Sequence, residues 1–249
     1  MPLVTTEATI LQAFPYSETS KILRLLTPGH GVQSVIAKGA RRPRSRYGGI
    51  LEPFTDGVAS FYHRPHRDLH NLSGFELVRP RQPLGRDLIR FGAASLLAEI
   101  VLRTVSEQAV PEVFAQLRDS LNALEQAPAG AVEPVALARA WSLVAALGFG
   151  PALDRCAACG GDVEAAADLF FDYTAGGILC GGCGAVAGAG RVLPAAARED
   201  VLRFLCGEAG GVQRTAAHWQ LLGRFLAYHL VDADSLRSLD FLAAAVGSA

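Results

Sequence analysis

This sequence lacks a long apolar run and a leader-like start. Its longest apolar stretch, residues 91–102, contains Glu99 and is shorter than the roughly 20 apolar residues that cross a bilayer. Residues 1–7 show no cationic region followed by an apolar one, so we expect no signal peptide. These absences predict a cytoplasmic protein with no membrane partner.

Signatures of common enzyme classes are also missing. The sequence has no phosphate-binding Gly-Lys-Ser/Thr loop, no H-E-x-x-H and no G-x-S-x-G. The zinc-deaminase pattern P-C-x-x-C is absent because Arg155 precedes Cys156. His218 and His229 fall in an apolar helical pattern, which indicates packing more than catalysis. We therefore predict that the protein is not an enzyme.

Cysteine is scarce, yet four of the five residues form two pairs, Cys156-x-x-Cys159 and Cys180-x-x-Cys183. A C-x-x-C turn directs two thiolates at one ion, and glycines beside each pair let the backbone curl around the sulfurs. Apolar segments between the pairs, joined by a Gly-containing turn, predict a hairpin. The spacing predicts one structural Zn²⁺ with four cysteine ligands, within a zinc motif at residues 154–186.

Two other interpretations of the cysteines remain open. One is a pair of redox C-x-x-C sites, which would need a βαβ context that the sequence does not offer. The other is a site that holds a different metal or none. A closed four-cysteine site would in any case be structural, because it leaves no coordination position for water.

Five short β-branched or aliphatic segments occupy the first eighty residues. Turns rich in glycine and proline separate them, as at residues 28–31, because glycine tolerates positive φ. This pattern predicts a small all-β barrel. The predicted strands are residues 5–14, 21–27, 32–37, 58–62 and 69–77.

After residue 83 the apolar residues recur at helical spacing. Pro111 and Pro134 suit the first turns of helices, and the Ala/Gly-rich residues 184–190 predict a flexible connector. Cys206, on the apolar side of the fourth helix, is expected to be a buried core thiol. The predicted helices are residues 85–105, 111–125, 134–147, 194–206 and 212–231. The expected helical core contains Trp141, Leu143, Leu147, Leu222 and Phe225.

Charge is unevenly distributed, although the formal net charge is −1. Residues 1–80 carry ten Lys and Arg against six acids, a formal charge of +4, and the remainder carries −5. Residues 38–46 read KGARRPRSR, with five cations in nine residues. An arginine-rich turn beside glycine offers both charge and backbone amides to phosphates. The distribution predicts a polyanion partner for the N-terminal part of the chain.

We predict that this basic segment binds DNA, because five-stranded barrels often bind oligonucleotides. The alternative is a solvated loop that only maintains solubility. Tyr47 follows the segment and could stack on a base, although a packed aromatic side chain is the more common role. Arg64 and Arg67 could extend the basic patch. The predicted DNA contacts are Lys38, Arg41, Arg42, Arg44, Arg46, Tyr47, Arg64 and Arg67.

Several segments, in order along most of the chain, match the motifs of one known family: YSETSK at residues 16–21, AKGARRPRS at 37–45, LEPF at 51–54, LGFGPAL at 147–153 before Cys156, and LRSL at 236–239. Any one match is weak, but the ordered set is specific. Together these segments resemble the RecO family of recombination mediators.

The resemblance implies an α+β fold, with a five-stranded OB-fold barrel at residues 1–80 and an all-helical domain at 81–249 carrying the four-cysteine zinc hairpin. It implies binding to single- and double-stranded DNA, annealing of complementary strands, and help in loading RecA, together with RecR and single-strand-binding protein. A nucleoid-associated, cytoplasmic location follows. Some family members lack the cysteines, so zinc does not define the function.

Two functions of other classes stay open from the residues alone. An RNA-binding or ribosome-associated zinc adaptor would use the same basic segment, with equal or better affinity for RNA and no strand annealing. A redox or hydrolytic enzyme would use the cysteine pairs, and its thiols would titrate without metal or its turnover would be lost on Cys→Ser substitution.

Overall fold

Five strands close into a barrel with the order β1-β2-β3-β5-β4. Neighbouring strands are antiparallel except β3 and β5, which pair in parallel at Val35 and His70. This topology confirms the predicted five-stranded OB-type barrel. The strands are β1 (Leu3–Tyr16), β2 (Ser20–Thr27), β3 (Gly31–Ala37), β4 (Asp56–Tyr62) and β5 (His70–Arg79).

The computed structural model describes residues 2–64, 67–164, 167–187, 191–212, 214–230 and 236–246. The chain divides into two compact units, Met1–Glu125 and Gln126–Ala249. The first unit holds the barrel and two helices, α1 (Leu88–Thr104) and α2 (Pro111–Gln126, which ends one residue into the second unit). The predicted domain boundary after residue 80 stays a prediction.

Alternation of side chains along the strands fills the barrel interior, as the period of two requires. A bulge in β1 between Ile10 and Gln12 shifts the register, so that Ala13 pairs with Leu23 on the inner side. The buried core of the barrel includes Ile10, Leu23, Leu25, Val35, Leu51, Phe61 and Leu72.

Gly31 begins β3 where the connection between α1 and α2 crosses the barrel. Its φ is +59°, and a Cβ there would lie 2.0 Å from Ser106 O and 2.5 Å from Gln108 O. The neighbouring Val32 N donates to Ser106 O at 3.0 Å. The close approach of two backbones at this point requires glycine.

Replacing Gly31 with alanine is expected to lower the free energy of unfolding by about 1–3 kcal/mol, because the added methyl group overlaps backbone atoms. Urea unfolding measures this. Gly29→Ala is the matched control, since a Cβ at Gly29 meets nothing within 4 Å, and its effect should stay within about 0.5 kcal/mol. Equal effects of the two substitutions would contradict the proposed packing.

The second unit is helical around a three-stranded sheet. Trp141, Phe171 and Phe225 pack together in its core, with ring centroids 5.3 Å apart for Trp141 and Phe225 and 6.2 Å for Phe171 and Phe225. Within the described residues, its elements are α3 (Val132–Ala146), β6 (Leu169–Asp172), β7 (Gly177–Leu179), α4 (Gly181–Ala187), β8 (Arg191–Leu193), α5 (Ala195–Leu205), α6 (Thr215–His229) and α7 (Arg237–Val246).

The helices and the hairpin agree with the predicted helical domain and its inserted four-cysteine hairpin, with three differences. Residues 184–187 of the predicted connector belong to α4, and its last residues, 188–190, lie outside the described residues. The helix α7 had no sequence prediction. Of the five predicted core residues, Trp141, Leu143, Leu222 and Phe225 are buried and Leu147 is half-buried. None of the described helices is long and apolar enough to span a bilayer.

The prediction that Cys206 is a buried thiol is wrong. Cys206 is exposed and follows the last residue of α5. Val201 and Phe204 form the buried face of this helix, at 1% and 0% exposure. Cys206 therefore lies off that face.

Candidate nucleic-acid interface and metal centre

The predicted basic segment forms a surface loop between β3 and β4, called here the basic loop (residues 38–46). Successive turns fold its backbone: Arg42 N donates to Gly39 O at 3.1 Å, and Ser45 N donates to Arg42 O at 3.0 Å. Gly39 has a φ of +73°, which favours glycine at this turn. The loop is therefore a folded series of turns and not an extended strand.

Both sides of the basic loop are attached to the barrel. Arg41 N donates to Thr19 O in the turn between β1 and β2, at 2.9 Å. Beyond the loop, Leu51 is buried in the barrel core, and its carbonyl oxygen accepts from Lys21 Nζ at 3.2 Å. Lys21 also pairs with Glu52 at 2.8 Å. These contacts hold the loop in one place on the barrel.

All five cations of the basic loop are exposed. Two guanidinium groups contact uncharged oxygens: Arg41 Nη1 donates to Ser17 O at 2.9 Å, and Arg46 Nη2 donates to Tyr47 Oη at 2.7 Å. Among the described residues, none of the five lies within salt-bridge distance of a carboxylate. Their charge is therefore available to a phosphate backbone. The five are Lys38, Arg41, Arg42, Arg44 and Arg46.

Tyr47 does not occupy the position that base stacking needs. Its side chain is 3% exposed and packs in the barrel core, while Arg46 lies over its ring, 4.8 Å from the centroid. A base cannot reach a ring that is buried in this way. The structure corrects the stacking prediction in favour of the packed-aromatic alternative.

Arg64 and Arg67 do not extend the patch of the basic loop. They precede β5, and His63 beside them lies 6.3 Å from His30 in the turn between β2 and β3. Because β3 and β5 run parallel, this segment lies at the end of the barrel where β3 begins, whereas the basic loop leaves where β3 ends. Contact of Arg64 and Arg67 with DNA stays a prediction, as a separate patch.

The four cysteines of the two pairs meet in one cluster. All four sulfur atoms lie within 4.8 Å of one another, and Cys159 Sγ is 3.8 Å from Cys180 Sγ. A tetrahedral zinc site with Zn–S bonds of about 2.3 Å has sulfur–sulfur distances of about 3.8 Å. The cluster therefore fits a structural metal ion.

Backbone hydrogen bonds shape the cysteine cluster. Cys156 N donates to Gly161 O at 2.9 Å and Gly160 N donates to Cys156 O at 2.8 Å, which closes the first turn. Ala157 N donates to Ile178 O at 2.8 Å, which fastens this turn to β7. Backbone N–H groups of Cys180 and Cys159, directed at the Cys156 sulfur, lower the pKa of that thiol from 9.0 to about 6. Such donors favour the thiolate that a metal ion binds.

Family models match nearly the whole chain. The N-terminal model of recombination protein O matches residues 1–81, and the C-terminal model matches residues 85–239. The chain belongs to the RecO family of DNA repair proteins. A role in recombinational DNA repair follows from this membership, and the family is one of mediators more than of enzymes.

Several proteins named DNA repair protein RecO are similar to this chain over most of their length. The DNA repair protein RecO of Anaeromyxobacter dehalogenans strain 2CP-C is 40% identical over 234 residues, which is 89% of each chain. The RecO protein of Desulfatibacillum aliphaticivorans is 31% identical over 92% of this chain and 93% of its own. The RecO protein of Thermoanaerobacter sp. strain X514 is 30% identical over 74% of this chain and 72% of its own.

Two exposed aromatic residues beside the basic loop were not selected from the sequence. Phe14 and Tyr16 are 38% and 49% exposed near the end of β1. The sequence pattern that could have identified them is their spacing of two residues in a strand, which places both side chains on one face. Pro15 between them made the end of that strand difficult to assign from sequence.

Proposed function

We propose that this RecO-family protein binds single- and double-stranded DNA through the basic loop. The observation that carries the proposal is that the loop presents exposed cations without carboxylate partners among the described residues. A fixed loop loses little conformational freedom on binding, so more of the phosphate attraction remains as affinity. Phosphate contacts of this kind do not depend on sequence.

We further propose that the protein anneals complementary strands without covalent chemistry. Cations on the loop offset the repulsion between two phosphate backbones, and base pairing supplies the driving force. No bond is made or broken, so annealing needs no catalytic residue. This is the sense in which the protein acts as a mediator and not as an enzyme.

The proposed partners follow from membership in the RecO family. We infer that the protein assists RecA loading together with RecR and single-strand-binding protein, at the nucleoid in the cytoplasm. The similar proteins named DNA repair protein RecO support this repair context. The residues that contact these partners are left unassigned.

We also propose that the four cysteines hold one zinc ion as a structural site. Four thiolates give a closed tetrahedral set that suits Zn²⁺. The ion would fix the hairpin of β6 and β7, and it would supply no chemistry to DNA. The sulfur distances support this assignment.

Replacing Arg41, Arg42 and Arg44 with alanine tests the basic loop. Three lost phosphate contacts should weaken single-strand binding by about a hundredfold at 0.1 M salt and make the log–log salt slope shallower by about 2, since each contact releases roughly 0.7 counterions. Fluorescence anisotropy across a salt series measures both. Annealing with and without single-strand-binding protein should slow in parallel.

The matched control removes three arginines that lie elsewhere and are exposed, Arg86, Arg191 and Arg224. The control variant changes the net charge by the same amount as the loop variant. Similar losses of DNA affinity in both variants would therefore assign the effect to total charge. Unchanged affinity and salt slope in the loop variant would reject the proposed interface. Tighter binding to RNA of the same sequence, with no annealing, would favour the adaptor function instead.

A further inference from the structure

The outer face of the first three strands carries a row of apolar side chains. Phe14 on β1 pairs with Ile22 on β2, and Ile22 pairs with Ile36 on β3. The adjacent inner row contains Ala13 and Leu23, which face the barrel core. Because side chains alternate between faces, Phe14, Ile22 and Ile36 point outward together.

This row is open to solvent at its β1 end. Phe14 is 38% exposed and Tyr16, two residues further on the same face, is 49% exposed, while Ile22 and Ile36 are half-buried. The outward positions of an antiparallel sheet that faces water are ordinarily polar. Two exposed rings above two aliphatic side chains indicate a surface that a ligand covers.

The basic loop borders this row. Arg41 donates from its backbone N to Thr19 O and from Nη1 to Ser17 O, each at 2.9 Å. Ser17 directly follows Tyr16, so the Arg41 guanidinium group is held beside the aromatic end of the row. Glu18 is the one acid of this turn, and the basic loop carries five cations. The net charge beside the rings therefore suits a polyanion.

We propose that Phe14 and Tyr16 form a stacking platform for unpaired bases of single-stranded DNA, whose phosphates contact the basic loop. The inference rests on the proposed DNA binding and adds a preference to it. Phosphates are present in single and double strands alike, but only unpaired bases present a face to an aromatic ring. The row gives the protein a way to favour single strands. Each stacked base should contribute about tenfold in affinity.

Abasic DNA separates the platform from the basic loop, because it keeps the phosphate charge and lacks the bases. We expect the wild-type protein to bind a mixed-sequence 20-mer at least about tenfold more tightly than an abasic 20-mer. The double variant Phe14→Leu, Tyr16→Leu should bind the two within about twofold and should bind the abasic strand as the wild type does. Leucine keeps apolar cover over Ile22 and removes only the aromatic faces.

Two further variants control this experiment. Tyr16→Phe keeps a ring and should keep the preference for bases. Tyr228→Ala removes an aromatic residue in the second unit that is 62% exposed, and it should leave the preference unchanged. Thermal unfolding at the wild-type temperature checks that the double variant is folded. If it is not folded, Tyr16→Leu alone is used, and it should lose part of the preference for bases.

The two proposals can fail separately. Equal binding of normal and abasic strands by the wild type, with the salt dependence of the basic loop intact, overturns the platform and leaves the basic-loop interface standing. The platform is also overturned if the double variant keeps the full preference for normal over abasic DNA. This holds even if the double variant loses the binding of a protein partner. If the wild-type protein binds neither strand, DNA binding itself is rejected and the platform with it.

Discussion

Replacing Cys180 with serine is expected to reduce the zinc content from one ion per chain to almost none. A serine hydroxyl is a poor ligand for Zn²⁺ and removes one of the negative charges that balance the ion. We expect the free energy of unfolding to fall on the order of 5 kcal/mol, because structural zinc sites contribute directly to folding. Metal analysis, thiol titration and thermal unfolding measure the result.

The position of the hairpin explains the size of this effect. Two backbone hydrogen bonds join Ala152 to the hairpin: Ala152 N donates to Gly176 O at 3.0 Å, and Ala152 O accepts from Ile178 N at 2.9 Å. Phe171 on β6 is 1% exposed and packs against Phe225 on α6. Loss of the metal would release the turns that hold β6 and β7 and so loosen this packing.

Cys206→Ser is the matched control for the zinc prediction. Cys206 is exposed and stands outside the cluster of four sulfurs, so its replacement should change neither metal content nor stability beyond about 0.5 kcal/mol. A wild-type protein that is folded and free of metal would contradict the zinc site. One cluster of four sulfurs also disfavours the hypothesis of two separate redox pairs.

Replacing Arg81 with alanine is expected to destabilise the first unit by about 3–5 kcal/mol. The Arg81 side chain is 1% exposed and pairs with Asp56 at 2.6 Å and with Glu125 at 3.0 Å. Thr9 Oγ1 donates to Asp56 Oδ1 at 2.6 Å, and Asn122 Oδ1 accepts from Arg81 Nη1 at 2.9 Å. The alanine variant would leave the buried Asp56 carboxylate without its cation, whereas Glu125 would keep its ion pair with Arg79 at 2.6 Å.

Urea unfolding measures this prediction against Arg118→Ala. Arg118 pairs with Glu7 at 3.3 Å on the surface, where the two side chains are 33% and 61% exposed. Solvent screens such a pair, so its loss should cost less than about 1 kcal/mol. Similar effects of the two substitutions would show that the buried network contributes no more than a surface pair.

The buried network connects the barrel to α2. Asp56 begins β4, Arg81 follows β5, and Glu125 lies in the last turn of α2. The two ion pairs therefore span sequence separations of 25 and 44 residues within the compact unit Met1–Glu125. None of these residues stood out in the sequence, because an ion network of this kind has no spacing rule.

Membership in a DNA repair family favours one of the functions that the sequence left open. The basic loop alone suits RNA as well as DNA, because both carry phosphates. The matches to RecO models and proteins over nearly the whole chain favour DNA over a ribosomal partner. Direct comparison of RNA and DNA binding remains the measurement that checks this choice.

Local patterns were sufficient for most of the fold. Alternation and glycine turns predicted the five strands, helical spacing predicted α1, α2, α3, α5 and α6, and the two C-x-x-C pairs predicted the cysteine cluster. Predictions of exposure were less reliable. Cys206 was assigned to the wrong side of the molecular surface, and the sequence left open whether Tyr47 stacks on a base or packs in the core, because burial depends on neighbours that are distant in sequence.

Local features of the sequence were enough to predict the strands, the main helices, the four-cysteine cluster and five cations in one short loop. Each depends on contacts within a few residues, or on a spacing that the chemistry of one ion requires. The folded barrel was needed to see that Tyr47 is buried, that Arg64 and Arg67 lie away from the basic loop, and that Phe14 and Tyr16 lie beside it. Closure of the barrel decides these positions, because strand register and the parallel pairing of β3 with β5 bring together residues far apart in the chain.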